Sequence, residues 1–399
     1  MHYEFPAITR IEDCLAAIEG HKEFVVAERE GYTIINYVMQ DSDTFSTEVR
    51  ASDSEEWRKA MIRRECRGIV FDAKGNLMSR RLHKFFNVGE KEETAVLDLS
   101  KGHHVMDKLD GSMMTPLFID GGIRWGTKMG VTEIALRAEN FVLAEKLKGT
   151  RDYEGLAREC RIMDATPIFE WLDNDIKYQV VIQHTHKQLV ILHIRDNYTG
   201  EYYPRHMIDL LALLFKVPAV KYTDPIQDWD AFKKMIEEDE DNEGVVIQFD
   251  DGHMVKLKTG WYLILHRAKA AIEKERDVCC MIVSDELDDM LPLQPVDTQN
   301  KLLSYQHDIK QDIENFVKSV EAVFEGSPYP EKRDFAIASK DWDEPALRNC
   351  VFQLWPQKNG DIHTLAYEWA KENLRRAASS NDNFEKKARH ILKTAIWKP

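Results

Sequence analysis

The sequence predicts an α+β chain, with antiparallel sheets over the first 262 residues and an all-helical region after them. Paired strand-like segments closed by short Gly- or Asx-containing turns point to hairpins. Helical periodicity falls between these hairpins without the regular strand–helix alternation of a parallel sheet. After residue 262 strand signals stop and amphipathic helical spacing takes over.

In chain order, "FVVAEREGYTIINYVM" (24–39) reads as a hairpin, "GIVFDAKGNLMSRR" (68–81) as a second and "MMTPLFIDGGIRWGTK" (113–128) as a third. Strands are expected at 166–172, 178–182 and 188–196, with a last hairpin at 244–258. Helices are expected at 132–147 and 207–215, and the polar stretch 40–57 reads as a long surface loop. Beyond that, Ile309, Ile313, Phe316, Val320 and Val323 share one helical face, and 362–378 and 383–397 repeat the pattern. The expected domains are therefore 1–262 and 263–399.

The 399 residues are enough for two cores. The first twenty residues are too charged for a secretory leader, and "LLALLF" (210–215) is far too short to cross a membrane. Six cysteines without C-x-x-C spacing read as reduced thiols of a cytoplasmic protein. A net charge of −15 argues against a protein that coats nucleic acid. The charge is uneven, however: residues 57–84 carry nine Lys/Arg against two acids, and 371–399 carry eight against three. That fits a protein that handles phosphates at one place, or equally two solvated faces. No G-x-x-x-x-G-K-[ST] is present, which disfavours a P-loop ATPase.

The chemistry centres on "KLDGS" (108–112). A lysine before a tight turn is ordinarily an exposed turn residue. Three later features change the balance. Glu170 interrupts the apolar strand "PIFEWLD", Glu243 precedes Gly244 at the mouth of a strand, and Lys256 and Lys258 alternate onto one sheet face. Each alone has a plain reading, as an ion-paired structural acid or a solvated strand. Their order along the chain does not. His184 and His186 of "QHTHK" lack a third metal ligand and read as surface histidines.

That order resembles the covalent nucleotidyltransferase superfamily of ATP-dependent ligases and mRNA capping enzymes. The segments "ECRGIVFD" (65–72), "KFFNVGE" (84–90), "KLDGS", "GTKMG" (126–130), "FEW" (169–171), "EGVVIQFDDG" (243–252) and "VKLKTGWY" (255–262) resemble the T-even phage RNA ligase family, of the RNA ligase 1 type. The resemblance implies an ATP-grasp-like nucleotidyltransferase domain, with the helical region selecting the RNA. It implies ATP as AMP donor and Mg²⁺, with Mn²⁺ as a substitute. Lys108 would be the nucleophile; Tyr37, Arg67, Lys84, Lys128, Glu170, Glu243, Lys256 and Lys258 would contact the nucleotide; Glu243 and Asp285 would attend the metal. Phe86 is either beside the nucleotide or in the core, and Asp110 and Gly111 would shape the turn. The implied substrate is RNA with 3′-OH and 5′-phosphate ends, such as a nicked tRNA anticodon loop, sealed by a monomer in phage-infected cytoplasm. A DNA ligase or capping enzyme is the nearer alternative, although an OB-fold usually follows the Lys-x-Lys strand there. A non-catalytic nucleotide- or RNA-binding protein is the more distant one.

A free lysine titrates near 10.4 and is a poor nucleophile at neutral pH. Neighbouring cations and desolvation lower that value, and Lys256 and Lys258 are the cations the spacing offers Lys108.

Overall fold

The computed structural model describes residues 4–40, 44–45, 54–326, 329, 331–380 and 383–399. Most of the stretch read as a 40–57 loop lies outside them; from Ser54 the chain is helix. The chain divides into two compact units, Met1–Leu263 and Ile264–Pro399.

In the first unit the strands are β1 (Phe24–Arg29), β2 (Tyr32–Tyr37), β3 (Arg67–Asp72), β4 (Leu77–Ser79), β5 (Phe86–Asn87), β6 (His103–Asp107), β7 (Ser112–Ile119), β8 (Gly122–Gly126), β9 (Ala165–Leu172), β10 (Gln188–Asp196), β11 (Tyr222–Thr223), β12 (Gly244–Phe249) and β13 (Met254–Lys258). They form three sheets, ordered β1-β2-β3-β4, β10-β9-β7-β8 and β11-β6-β12-β13-β5. All pairings are antiparallel except β13 with β5. The expected hairpins are present, because each pair is joined by a turn that glycine or a short polar run permits.

The helices of this unit are α1 (Ile11–Ile18), α2 (Ser54–Glu65), α3 (Glu92–Ala95), α4 (Glu133–Lys148), α5 (Tyr153–Ile162), α6 (Arg205–Leu214), α7 (Trp229–Glu237) and α8 (Gly260–Ala271), the last running past the unit boundary. Helix α4 starts where Thr132 accepts from Ala135 N–H and stops at Gly149 in the left-handed conformation. Its buried stripe Ala135, Ala138 and Val142 joins Tyr153, Leu156 and Cys160 of α5 in packing on Phe169, Trp171 and Leu189 of the second sheet.

Further sequence expectations change in this unit. Residues 178–182 are not a strand: a 3₁₀ turn covers Ile176–Tyr178, and the N–H groups of Val181 and Ile182 bond to the Asp110 carboxylate at 2.8 and 2.7 Å. The basic run 57–84 is not one phosphate-facing patch. Arg80 and Arg195 are fully buried on Glu65, with Arg195 bonding both carboxylate oxygens at 2.7 Å and Arg80 one at 3.2 Å. These charges tie the end of α2 to β10 and to the segment that follows β4.

The second unit has no strand among its described residues; after α8 its α-helices are α9 (Glu275–Val283), α10 (Leu287–Met290), α11 (Val296–Glu325), α12 (Lys332–Ala338), α13 (Pro345–Leu354), α14 (Ile362–Ser379) and α15 (Phe384–Ala388). The face Ile309, Ile313, Phe316 and Val320 of α11 is buried with Ala366, Ala370 and Leu374 of α14. The helix expected at 383–397 ends at Ala388. Beyond it Asp312 takes the N–H groups of Thr394 and Ala395 at 2.7 and 2.8 Å, so those donors are satisfied without helix. No helix among the described residues is long and apolar enough to cross a membrane, and all six cysteines are free.

Candidate active site

Strands β6, β12 and β13 lie side by side, and their register decides which side chains meet. Asp107 pairs with Val245, Gly244 pairs with Lys258, and Lys108 N–H donates to Gly244 O at 2.9 Å. Lys108, Glu243 and Lys258 therefore emerge together at one sheet end. Lys108 Nζ lies 2.6 Å from Glu243 Oε1, and Lys258 Nζ lies 2.9 Å from the same oxygen. Glu243 is 3% exposed. One buried carboxylate oxygen thus holds two ammonium groups.

Lys108 and Lys258 border a cleft of about 560 Å³. Arg67 from the start of β3, Lys128 from the turn after β8, Glu170 from β9, and Lys108, Lys256 and Lys258 all line it. Apolar walls come from Leu82, Phe85, Met106, Val246 and Met254. Glu170 is the one residue of β9 that is not fully buried. Burial pushes its carboxyl up to about 8; Lys108 opposes that rise and Glu243 adds to it. Burial also brings the Lys256 amine down to about 7, helped by Lys84, Arg67 and Lys108. Lys84 is brought down to about 8 by burial and then by Arg67, and Lys128 is lowered by the same two causes. Nη1 of Arg67 is buried with no hydrogen-bond partner among the described residues. A crowd of cations kept below their ordinary values, beside the Arg67 guanidinium, suits a polyanionic ligand.

Other expected residues fall beside the cleft. Lys84 Nζ donates to Gln40 Oε1 at 2.6 Å, and Tyr37 offers its ring face to Lys84 and Lys128 at 5.5 and 6.0 Å. Phe86 is 1% exposed and belongs to the core, while its neighbour Phe85 is the aromatic wall, under Arg67 and Lys256. Asp285 belongs to the second unit, where Lys371 Nζ holds it at 2.8 Å. His184 Nε2 bonds Asp110 O at 2.7 Å, and no group of three His, Cys, Asp or Glu among the described residues gathers as a metal site.

Asp110 and Gly111 do more than shape their own turn. Asp110 is 3% exposed; one oxygen takes the Val181 and Ile182 amides and the other the Tyr262 hydroxyl at 2.7 Å. At Gly111 a Cβ would sit 2.3 Å from Trp171 O, so contact with β9 demands the glycine there. Sequence reading missed Phe85, the tether from Asp110 to Tyr262, and Arg81. Only the "SRR" run before "KFFN" hinted at the last.

The depressed Lys256 amine leads to a measurable linkage. Its ordinary value is 10.5, so between about 7 and that value the unfolded chain holds a proton that the folded chain lacks. Through that window this group's contribution to folding stability rises with pH. A bound polyphosphate reverses the shift, so at pH 8 ATP binding is expected to take up roughly one proton, and affinity falls as pH rises from 6.5 to 9. Calorimetry in two buffers of different ionisation enthalpy measures the uptake, and Lys256→Met removes most of it. Uptake unchanged in that variant contradicts the assignment.

Antiparallel sheets thus deliver Lys108, Lys256, Lys258 and Glu170 to one apolar-walled cleft. Residues 65–262 match the family model described as RNA ligase. A Thermovibrio ammonificans protein named "Putative RNA ligase" is 31% identical over 274 residues, 65% of this chain. The match spans 64% of that relative's length. "RNA ligase 1" of bacteriophage TS2126 is 27% identical over 300 residues, 70% of this chain and 68% of that one. A solved archaeal ATP-dependent RNA ligase gives a TM-score of 0.45 at 12% identity, covering 75% of this chain and 78% of that one.

Proposed function

We propose that this protein is an ATP-dependent RNA ligase that works through a lysyl-AMP intermediate on Lys108. A 5′-phosphate has no good leaving group, and AMP supplies one. Lys108 Nζ, after losing its proton, attacks the α-phosphorus of ATP; the N–P bond forms as the bond to pyrophosphate breaks. The 5′-phosphate of RNA then displaces Lys108 and takes the AMP, and the 3′-OH displaces AMP to form the phosphodiester.

The observation that carries this reading is the convergence of Lys108, Lys258, Lys256, Arg67 and Glu170 on a single cleft, with the Glu243 carboxylate ion-paired to Lys108 and Lys258. Lys256, Lys258 and Arg67 are placed to neutralise phosphate oxygens. Glu170 suits a ribose hydroxyl, as acceptor when ionised and as donor when protonated. Mg²⁺, or Mn²⁺ in its place, would neutralise phosphate charge when bound. Glu243 is the residue we assign to it, since this ion keeps most of its waters and needs few carboxylates. The resemblance also marks Asp285 as a metal-associated acid; its partner in the helical unit is Lys371, so it is the secondary assignment.

RNA with 3′-OH and 5′-phosphate ends is the proposed substrate, a nicked tRNA anticodon loop being one form, with the protein acting as a monomer in phage-infected cytoplasm. We assign RNA selection to the helical unit. There a groove of about 270 Å³ sets Trp369 and Asn373 beside Arg376, Lys387 and His390. An aromatic face among cations suits single-stranded nucleic acid. The test is sealing of single-stranded RNA, nicked DNA and a capping precursor by protein loaded with α-labelled ATP. Label moving to the RNA 5′ end supports the proposal; transfer only to DNA or to a 5′-diphosphate end overturns it.

A further inference from the structure

Arg81 is 1% exposed and forms no ion pair among the described residues. Burial brings it down to about 9, which leaves it charged at neutral pH. All its bonds go to neutral oxygens. Nε donates to Thr115 Oγ1 at 3.0 Å, Nη2 to Gly126 O at 3.2 Å, and Nη1 to Thr127 O. A charge this deep with no carboxylate is costly, and what it holds is specific. Gly126 and Thr127 immediately precede Lys128, which lines the cleft.

The turn itself is small. Thr127 and Gly130 exchange backbone bonds at 2.9 Å each, and Thr127 Oγ1 takes Met129 N–H at 3.2 Å. Lys128 and Met129 form its tip. The turn also meets the strand that carries Arg67. At Gly68, with φ +83°, a Cβ would lie 2.7 Å from Lys128 Cα and 2.9 Å from Arg81 Nη1. A planar fork can reach a strand hydroxyl and two successive carbonyls at once; an ammonium cannot match that geometry.

We propose that Arg81 is a positioning residue for Lys128, gripping the two carbonyls before it so that the amine enters the cleft where a phosphate ligand binds. The inference rests on the reading of the cleft as an ATP site. Its test is a double-mutant cycle on Lys108–AMP formation against ATP concentration, with Arg81→Met, Lys128→Ala and both together. Arg81→Met should raise the KM for ATP about ten-fold with the maximal rate nearly kept, and Arg81→Lys should restore part of the loss. The double variant should be no worse than Lys128→Ala alone, because both changes remove one interaction. Multiplying effects overturn the inference, since Arg81 would then act by another route.

A second measurement needs no activity. Hydrogen exchange at the Thr127 and Gly130 amides should quicken about ten-fold or more in Arg81→Met while β9 stays protected. If that variant does not fold, Thr115→Val removes one anchor and should give a smaller change of the same sign. Unchanged exchange in the folded variant overturns the inference. If the wild-type protein forms no Lys108 adduct, the ligase reading fails, and exchange alone still decides what Arg81 holds.

Discussion

Lys108→Ala protein is expected to form no covalent adduct with α-labelled ATP and to lose sealing that starts from ATP. It should still join RNA whose 5′ end already carries AMP, at a rate within about ten-fold of wild type. The reason is the division of labour in the proposed chemistry. The amine is consumed only in loading and unloading AMP, whereas the last displacement needs orientation and charge neutralisation from the rest of the cleft. Each activity checks the other: loss of both in a folded protein means that Lys108 serves as more than a carrier. An adduct persisting without Lys108 means that another nucleophile exists. Gel analysis of labelled protein and of pre-adenylylated RNA covers both.

The second large effect is at Glu243. Its Oε1 atom holds Lys108 and Lys258 together, and it is nearly fully buried. Glu243→Ala leaves two ammonium groups close together without their counter-charge. Removing one partner of a buried ionic group costs about 3 kcal/mol, and urea unfolding should read a loss of that order. Adduct formation should fall at least about a hundred-fold, since the amine loses its placement as well as the carboxylate assigned to the metal. Glu243→Gln keeps the shape and one acceptor oxygen, so it should recover most of the stability and little of the rate. Recovery of both would mean that the carboxylate's charge does not matter for the chemistry.

The sequence revealed much of this because β-strand geometry is regular. Alternation placed Lys256 and Lys258 on one face, and the polar interruption of an apolar strand identified Glu170 as inward-facing. Chain order alone then made Lys108 and Glu243 candidates, and strand register brought them within bonding distance. Other features depended on partners far away in sequence. Residues 178–182 carry strand-like side chains, but the Asp110 carboxylate takes two of their amides. Arg80 and Arg81 looked like surface charge because composition cannot say that Glu65 and three neutral oxygens await them in the interior. The short α15 has the same origin in Asp312. A buried carboxylate that satisfies remote backbone donors leaves no local pattern to read.

Asp110 has a consequence for how the molecule is made. Its bonds reach residues 71, 72 and 152 positions further along the chain. Contacts so distant form late, since loop-closure entropy must be met before they return any free energy. On the ribosome, the segment bearing Lys108 therefore waits for Tyr262 to emerge before its last restraint can form, and the nascent chain is inert until almost its whole first unit has been translated.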